Sequence, residues 1–201
     1  MVLGAWSEVT PLHYVQLVDG VRRDVIVLQA PLAAPAGREL IARALNEGRM
    51  TYLAAAQRPL MAVAFKDAQQ PGRALQASFG GELTLLGYDL GPRAGASVKG
   101  GLSTVGFLRL YWRAERSAAA DYKMFVHLLD AAGNQIAGAD HPPVTEYFPT
   151  SSWPQGLYYV DAFPLPTAPG LHAIDIGLYD PVTGKRLALP DGRTSVRIEQ
   201  P

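Results

Sequence analysis

The sequence has no cysteine, no excess of either charge and no long hydrophobic run. The lack of cysteine excludes a disulfide framework, a thiolate-bound zinc ion and a thiol nucleophile. The 18 basic and 18 acidic residues give a formal net charge of +0, so nucleic acid and anionic membrane surfaces are not the expected partners. No apolar run approaches the roughly twenty residues that a membrane-spanning helix needs. These absences favour an electrically neutral globular fold.

Signals of catalysis are equally scarce. The 4 histidines lack the spacing of a zinc site, no G-x-S-x-G elbow marks a serine nucleophile, and no phosphate-binding loop occurs. Asp130 and Asp180 each begin a turn, where a carboxylate that accepts backbone N–H groups is favoured over a calcium ligand. We therefore predict no catalytic residue, no metal and no cofactor in this chain.

Turn-forming residues are abundant, with 20 glycines and 16 prolines. Residues 122–140 predict a β-hairpin around the turn at 130–134, and residues 171–187 repeat the pattern around a turn that begins at Asp180. In each, an apolar strand precedes an aspartate, and a following glycine supplies a positive φ. Two such hairpins indicate antiparallel sheet structure.

The first 70 residues predict a small α/β unit of the βαβ type. Residues 10–20 and 38–47 have helical spacing and capping signals, whereas residues 24–28 and 50–55 are short apolar strands. The polar stretch 66–73 is the predicted linker. A boundary between two domains is therefore expected near residue 70.

Residues 71–201 predict an antiparallel β-sandwich of the jelly-roll or immunoglobulin-like kind, with roughly eight strands at regular spacing. In residues 105–113, apolar side chains alternate with Arg109, Tyr111 and Arg113 on the opposite face. Residues 79–90 predict another strand, with Leu85 and Tyr88 on opposite faces. The predicted fold class is thus α+β.

Two sets of motifs follow one another along the chain. The first set, near the start, has a Pro-Leu-aromatic-Tyr pattern and comprises Pro11, Leu12, Tyr14, Gln16, Val18, Gly20, Arg22, Asp24 and Val25. The second half carries the landmarks LLGYDL, LRLYWRA, FVHLLDAAG, PTSSWPQG and GLYDPVTGKRL, at 85–90, 108–114, 125–133, 149–156 and 177–187. In the order of these motifs the chain resembles a family of bacterial multi-pass membrane proteins similar to protein O-mannosyltransferases. The resemblance implies an extracytoplasmic region of a larger membrane glycosyltransferase. It also implies that membrane contact and the catalytic acid belong to membrane helices and loops outside this chain.

The candidate binding residues are aromatic and basic. Arg109, Tyr111 and Arg113 are expected to share a sheet face with Phe125, His127 and Tyr179 if their strands are neighbours. A second candidate site is the loop at 147–159, with Trp153 as a rigid anchor. Aromatic planes flanked by arginine and aspartate suit carbohydrates, because sugar C–H surfaces stack on rings and hydroxyl groups need polar partners. The expected ligand is a glycan or a lipid-linked sugar acceptor.

Three interpretations of function stay open at this point. The leading one is a non-catalytic region that binds a glycan or positions an acceptor. The second is a structural or protein-interaction domain of the cell envelope, in which the predicted face of aromatic and basic residues packs against residues 1–66. The third is a carbohydrate hydrolase, which needs two carboxylates roughly 5–10 Å apart in a cleft; Asp161 and Asp175 are the pair to check.

Overall fold

The computed structural model describes residues 1–4, 9, 11, 12, 14, 16, 19, 26–29, 34–54, 61, 62, 64–92, 106–165 and 168–199. In these ranges the strands are β1 Val2–Gly4, β2 Val27–Gln29, β3 Tyr52–Ala54, β4 Met61–Ala62, β5 Arg73–Phe79, β6 Leu83–Pro92, β7 Gly106–Ala114, β8 Lys123–Leu129, β9 Gln135–His141, β10 Tyr158–Pro164, β11 Ala173–Tyr179 and β12 Val196–Glu199. The α-helix α1 spans Pro35–Asn46, and a 3-10 turn spans Thr150–Ser152. The described residues are thus mostly β-sheet.

The first sheet has the order β2-β1-β3-β4, with β1 parallel to both β2 and β3 and β4 antiparallel to β3. The strand predicted at 50–55 corresponds to β3, and the strand predicted at 24–28 overlaps β2. Strands β1 and β4 were not predicted, because runs of two or three paired residues have no detectable period. Within the helix predicted at 10–20, the described residues Pro11, Leu12, Tyr14 and Gln16 are helical, and most of the others lie outside the described residues.

Helix α1 begins with Pro35 and buries Ile41, Ala44 and Leu45 on one side. It ends at a glycine, as predicted: Gly48 has a φ of +74°, and the amides of Gly48 and Arg49 bond back to the carbonyls of Leu45 and Ala44 at 2.9 and 2.8 Å. This is the Schellman arrangement, which requires a left-handed residue and therefore favours glycine. The helix is amphipathic and packs through its apolar stripe.

The other two sheets are antiparallel, with the orders β10-β7-β6-β5 and β12-β11-β8-β9. We call them the second and the third sheet. Side chains from both belong to one buried cluster, including Leu108, Leu110 and Trp112 from β7 and Val126 and Ile176 from the third sheet. Each such side chain contributes on the order of 1.5–3 kcal/mol through burial. The strand alternation predicted for residues 105–113 is confirmed.

Two predicted details are wrong. Tyr88 and Leu85 are both buried, on the same side of β6, because a register shift between Leu85 and Gly87 reverses the alternation. After the turn at Asp180, the predicted return strand is reduced to one bridge between Tyr179 and Arg186, and residues 173–176 of β11 pair with β12 instead. Both corrections arise from pairing between strands.

The chain passes from the first sheet to the second through Phe65, whose backbone pairs with Tyr158 of the edge strand β10. The two hydrogen bonds are 2.7 and 2.9 Å long. Residues 66–72 then cross the outer face of the second sheet to reach β5 at its opposite edge. Pro71 lies against Gly87 on that face, where a side chain in place of the glycine would overlap the proline ring. Apolar residues of α1 and β3 belong to the same buried cluster as the two antiparallel sheets.

Candidate functional site

The six predicted ligand-binding residues do not form one surface. Arg109, Tyr111 and Arg113 lie on β7 in the second sheet, whereas His127 and Tyr179 lie on β8 and β11 in the third. Trp153 follows the 3-10 turn. The sequence-based grouping required neighbouring strands, and this condition is met only for Phe125, His127 and Tyr179.

The outer face of β7 is engaged within the molecule. The Tyr111 hydroxyl donates to Asp89 Oδ2 at 2.5 Å, and the amide of Gly72 donates to Asp89 Oδ1 at 2.6 Å. Burial, together with the bond to Asp89, raises the pKa of Tyr111. The Arg109 guanidinium lies 3.7 Å from Asp89 Oδ2, and the Arg113 guanidinium lies 3.3 Å from Glu115 Oε2. The bond from Gly72 thus holds the end of the crossing segment 66–72 on the sheet.

Trp153 is an interior residue with 2% of its surface exposed. Its ring stacks on Tyr159 with centroids 3.8 Å apart and planes at 10°, and its indole N–H donates to the carbonyl of Phe148 at 2.9 Å. Burial raises the pKa of Tyr159 well above its ordinary value. The stack fixes the long connection between β9 and β10 to the core.

His127 and Tyr179 do share one surface, the outer face of the third sheet. We call this surface the aromatic face and define it by Phe125, His127 and Tyr179. Phe125 lies between the other two, with ring centroids 4.6 Å from His127 and 6.5 Å from Tyr179. Strands β8 and β11 are adjacent and antiparallel, so side chains that alternate outward on each strand line up across the sheet. The result is a row of three rings.

The central ring of the aromatic face is covered. Phe125 lies across the neighbouring strand on Gly177, where any side chain would collide with the ring and with the backbone carbonyl of Thr194. On the other side, the Arg186 guanidinium lies 4.4 Å from the ring centroid, a cation–π distance. Phe125 is consequently only 2% exposed, while the two flanking rings are partly exposed.

Carboxylates border the three rings. The Tyr179 hydroxyl donates to Asp140 Oδ2 at 3.1 Å, and partial desolvation together with this bond raises the pKa of Tyr179. Asp175, directly opposite His127, accepts two hydrogen bonds from Arg197 at 2.7 and 2.9 Å. The face therefore combines two accessible rings with fixed polar groups. Accessible aromatic rings can stack on a sugar ring, and neighbouring polar groups can form hydrogen bonds with its hydroxyl groups.

Several of these residues were missed from the sequence. Arg186 could have been found, because the turn that begins at Asp180 places it opposite Tyr179 in a hairpin register. Asp140 pairs with Phe125 only after a register shift in the β8–β9 hairpin, and Arg197 comes from β12, which no local pattern places beside β11.

The two carboxylates of the hydrolase interpretation are not brought together. Asp161 lies on β10 at an inward position, with its side chain buried and its Oδ2 3.0 Å from His141 Nε2. Asp175 lies on the outer face of the other sheet, paired with Arg197. The His141–Asp161 contact links the edge strands β9 and β10 across the two sheets.

A concave pocket of about 200 Å³ lies elsewhere, where the end of α1 meets residues 64–69 and Leu157. It is smaller than the roughly 300–1,000 Å³ of a typical ligand site. Lys66 extends over Gly48, where a cation suits the negative end of the helix dipole. Arg49 pairs with Glu47 at 2.8 Å. Both basic residues of this pocket, Lys66 and Arg49, thus interact with the C-terminal end of α1.

No group of three or more metal-ligating side chains occurs within the described ranges. In the same part of the chain, no helix combines the length and the apolar character needed to cross a membrane. Comparison of the chain with protein-family models, with curated proteins and with solved structures finds no match.

Proposed function

We propose that this chain is a non-catalytic, extracytoplasmic region of a bacterial membrane glycosyltransferase-like protein, and that its aromatic face binds a glycan. The observation that carries the binding role is the row of three rings with carboxylates and guanidinium groups at its margins. The parent protein and its location rest on the order of sequence motifs described above. In this proposal, chemistry occurs elsewhere in the larger protein, and this region holds a glycan or a sugar acceptor near it.

The proposal includes a finer description of the fold. Residues 71–201 form an antiparallel sandwich of the jelly-roll or immunoglobulin-like kind, and residues 1–70 form a βαβ-type unit beside it. The shared buried cluster of the two antiparallel sheets supports the first part. Two parallel strand pairs and the helix between β2 and β3 support the second. A sandwich presents an outer sheet face as a broad platform, which suits an extended ligand better than a deep cavity would.

One observation favours a structural role as the alternative. Arg186 and Gly177 enclose Phe125 so that the middle of the aromatic face is already packed. In that reading, the face is a small secondary core that stiffens the third sheet. The two functions differ in what happens to the flanking rings: a binding face uses Tyr179 and His127, whereas a structural one does not.

Isothermal titration of the purified chain against a panel of neutral and acidic oligosaccharides tests the proposal. Tyr179→Ala should weaken binding about threefold to tenfold, the usual value of one aromatic contact. Tyr158→Ala is the matched control, because Tyr158 is a partly exposed tyrosine on the other antiparallel sheet. Lack of binding by every sugar, or equal loss in both variants, would favour the structural alternative.

A further inference from the structure

Tyr179, at one end of the aromatic face, lies between two basic residues of the neighbouring chain segments. Lys123 is its direct partner on β8, and Arg186 is its partner on the other side. All three side chains are on the outer surface, since the neighbouring residues Met124 and Leu178 are buried in the core. The pairing therefore places one basic residue on each side of Tyr179.

Carboxylates near this row are already occupied. Asp140 accepts the Tyr179 hydroxyl, and Asp180 accepts the Thr183 hydroxyl at 2.7 Å and the Val182 amide at 2.9 Å. Among the described residues, neither Lys123 nor Arg186 has an acidic partner. Arg197 on the same face differs, because Asp175 binds it through two hydrogen bonds.

Arg186 has no hydrogen-bond acceptor among the described residues. Its guanidinium carbon lies 4.4 Å from the centroid of the Phe125 ring, and the residue is exposed to solvent. A guanidinium is a planar fork of N–H donors, which binds carboxylate or phosphate oxygens two at a time. The contact with Phe125 thus keeps an anion-binding group on the same face as Tyr179.

We infer that the glycan bound by the aromatic face carries an anionic group, a carboxylate or a phosphate, which Arg186 binds with help from Lys123 while the sugar ring stacks on Tyr179. This inference rests on the proposed glycan-binding function and narrows its ligand to acidic sugars. A uronic acid and a sugar phosphate share the required chemistry. The two sources are separated by the ligands used in the test.

The experiment compares three probes by isothermal titration at low and at high salt: an oligogalacturonate, a neutral galactose oligomer of equal length and a hexose 1-phosphate. We expect at least one anionic probe to bind about tenfold or more tightly than the neutral oligomer, as charge-assisted hydrogen bonds would give. Added salt should reduce this preference, because it screens exposed charges.

Variants test which residues cause the preference for an anionic probe over the neutral one. Arg186→Met should remove most of the difference between anionic and neutral probes, and Lys123→Met should reduce it less. Arg186→Lys keeps the charge but lacks the planar fork, so an intermediate preference is expected. Arg193→Met is the matched control, since Arg193 lies on a nearby turn and already pairs with Asp191 at 2.7 Å. Circular dichroism on each variant confirms that the fold is retained.

The outcomes separate the inference from the function that it rests on. Equal affinity for anionic and neutral sugars, or equal effects of Arg186→Met and Arg193→Met, would overturn the anionic ligand while leaving glycan binding in place. If no probe binds at all, both proposals fail. Preference for the oligogalacturonate identifies a carboxylate ligand, and preference for the hexose phosphate identifies a phosphate.

Discussion

Replacing Glu82 by alanine should destabilise the fold by about 2–5 kcal/mol. Glu82 lies between β5 and β6 and is 8% exposed. Its Oε2 accepts the Tyr122 hydroxyl at 2.8 Å and the Ala119 amide at 3.0 Å, which joins this turn to the segment between β7 and β8. Each donor left without a partner costs about 1–3 kcal/mol. The further contact with Arg116 adds little, since the arginine side chain is 59% exposed.

Urea denaturation followed by tryptophan fluorescence measures the effect, and a double-mutant cycle isolates it. Tyr122→Phe alone should cost about 1 kcal/mol, but when Glu82 is already alanine it should restore part of the lost stability, because it removes a buried hydroxyl that no longer has an acceptor. Glu82→Gln keeps an acceptor and should be milder than alanine. Glu47→Ala, at an exposed ion pair, is the control and should cost less than about 1 kcal/mol. Additive effects in the cycle, or equal losses for Glu82→Ala and Glu47→Ala, would refute the reasoning.

Three further predictions concern other contacts. Burial raises the pKa of Tyr122 to about 12 from 10.0, so the neutral phenol stabilises the fold below pH 10 and this contribution is lost as the pH rises through about 12; Tyr122→Phe should flatten that decline in denaturation curves. Gly177→Ala should cost about 1–3 kcal/mol through overpacking, whereas Gly138→Ala on the same face, where the closest atom belongs to a flexible glutamine, should cost less; equal melting temperatures would contradict the packed ring. His141→Ala removes the hydrogen-bonding partner of the buried Asp161 carboxylate and should cost about 1.5–3 kcal/mol in urea, more than Asp161→Asn, which keeps a polar group there.

The sequence was most informative where one strand's own alternation decided the outcome. Leu108, Leu110 and Trp112 point inward because every second residue of a strand faces the same side, and that period is readable without knowing the partner. Tyr88 shows the limit of this method. Its direction depends on the irregularity between Leu85 and Gly87, which arises from pairing with β7 and has no signature in β6 alone.

The candidate site was predictable only in part, because its members come from strands far apart in the sequence. His127 and Tyr179 were grouped correctly in space, yet the same reasoning added Tyr111, whose strand belongs to another sheet. Trp153 illustrates a different difficulty. A tryptophan in a proline-rich loop is compatible with a surface anchor or with a core contact, and only the stacked partner, Tyr159, decides between them.

The crossing of residues 66–72 bears on how this protein can be dissected. Phe65 occupies the backbone hydrogen-bonding groups of Tyr158 that would otherwise lie open at the margin of the second sheet. A truncation that starts at residue 71 would expose this edge of the sheet and weaken the packing of the Pro71 ring against Gly87. Exposed edge strands pair with strands of other molecules. Versions of this chain that are cut within the predicted linker are therefore expected to self-associate.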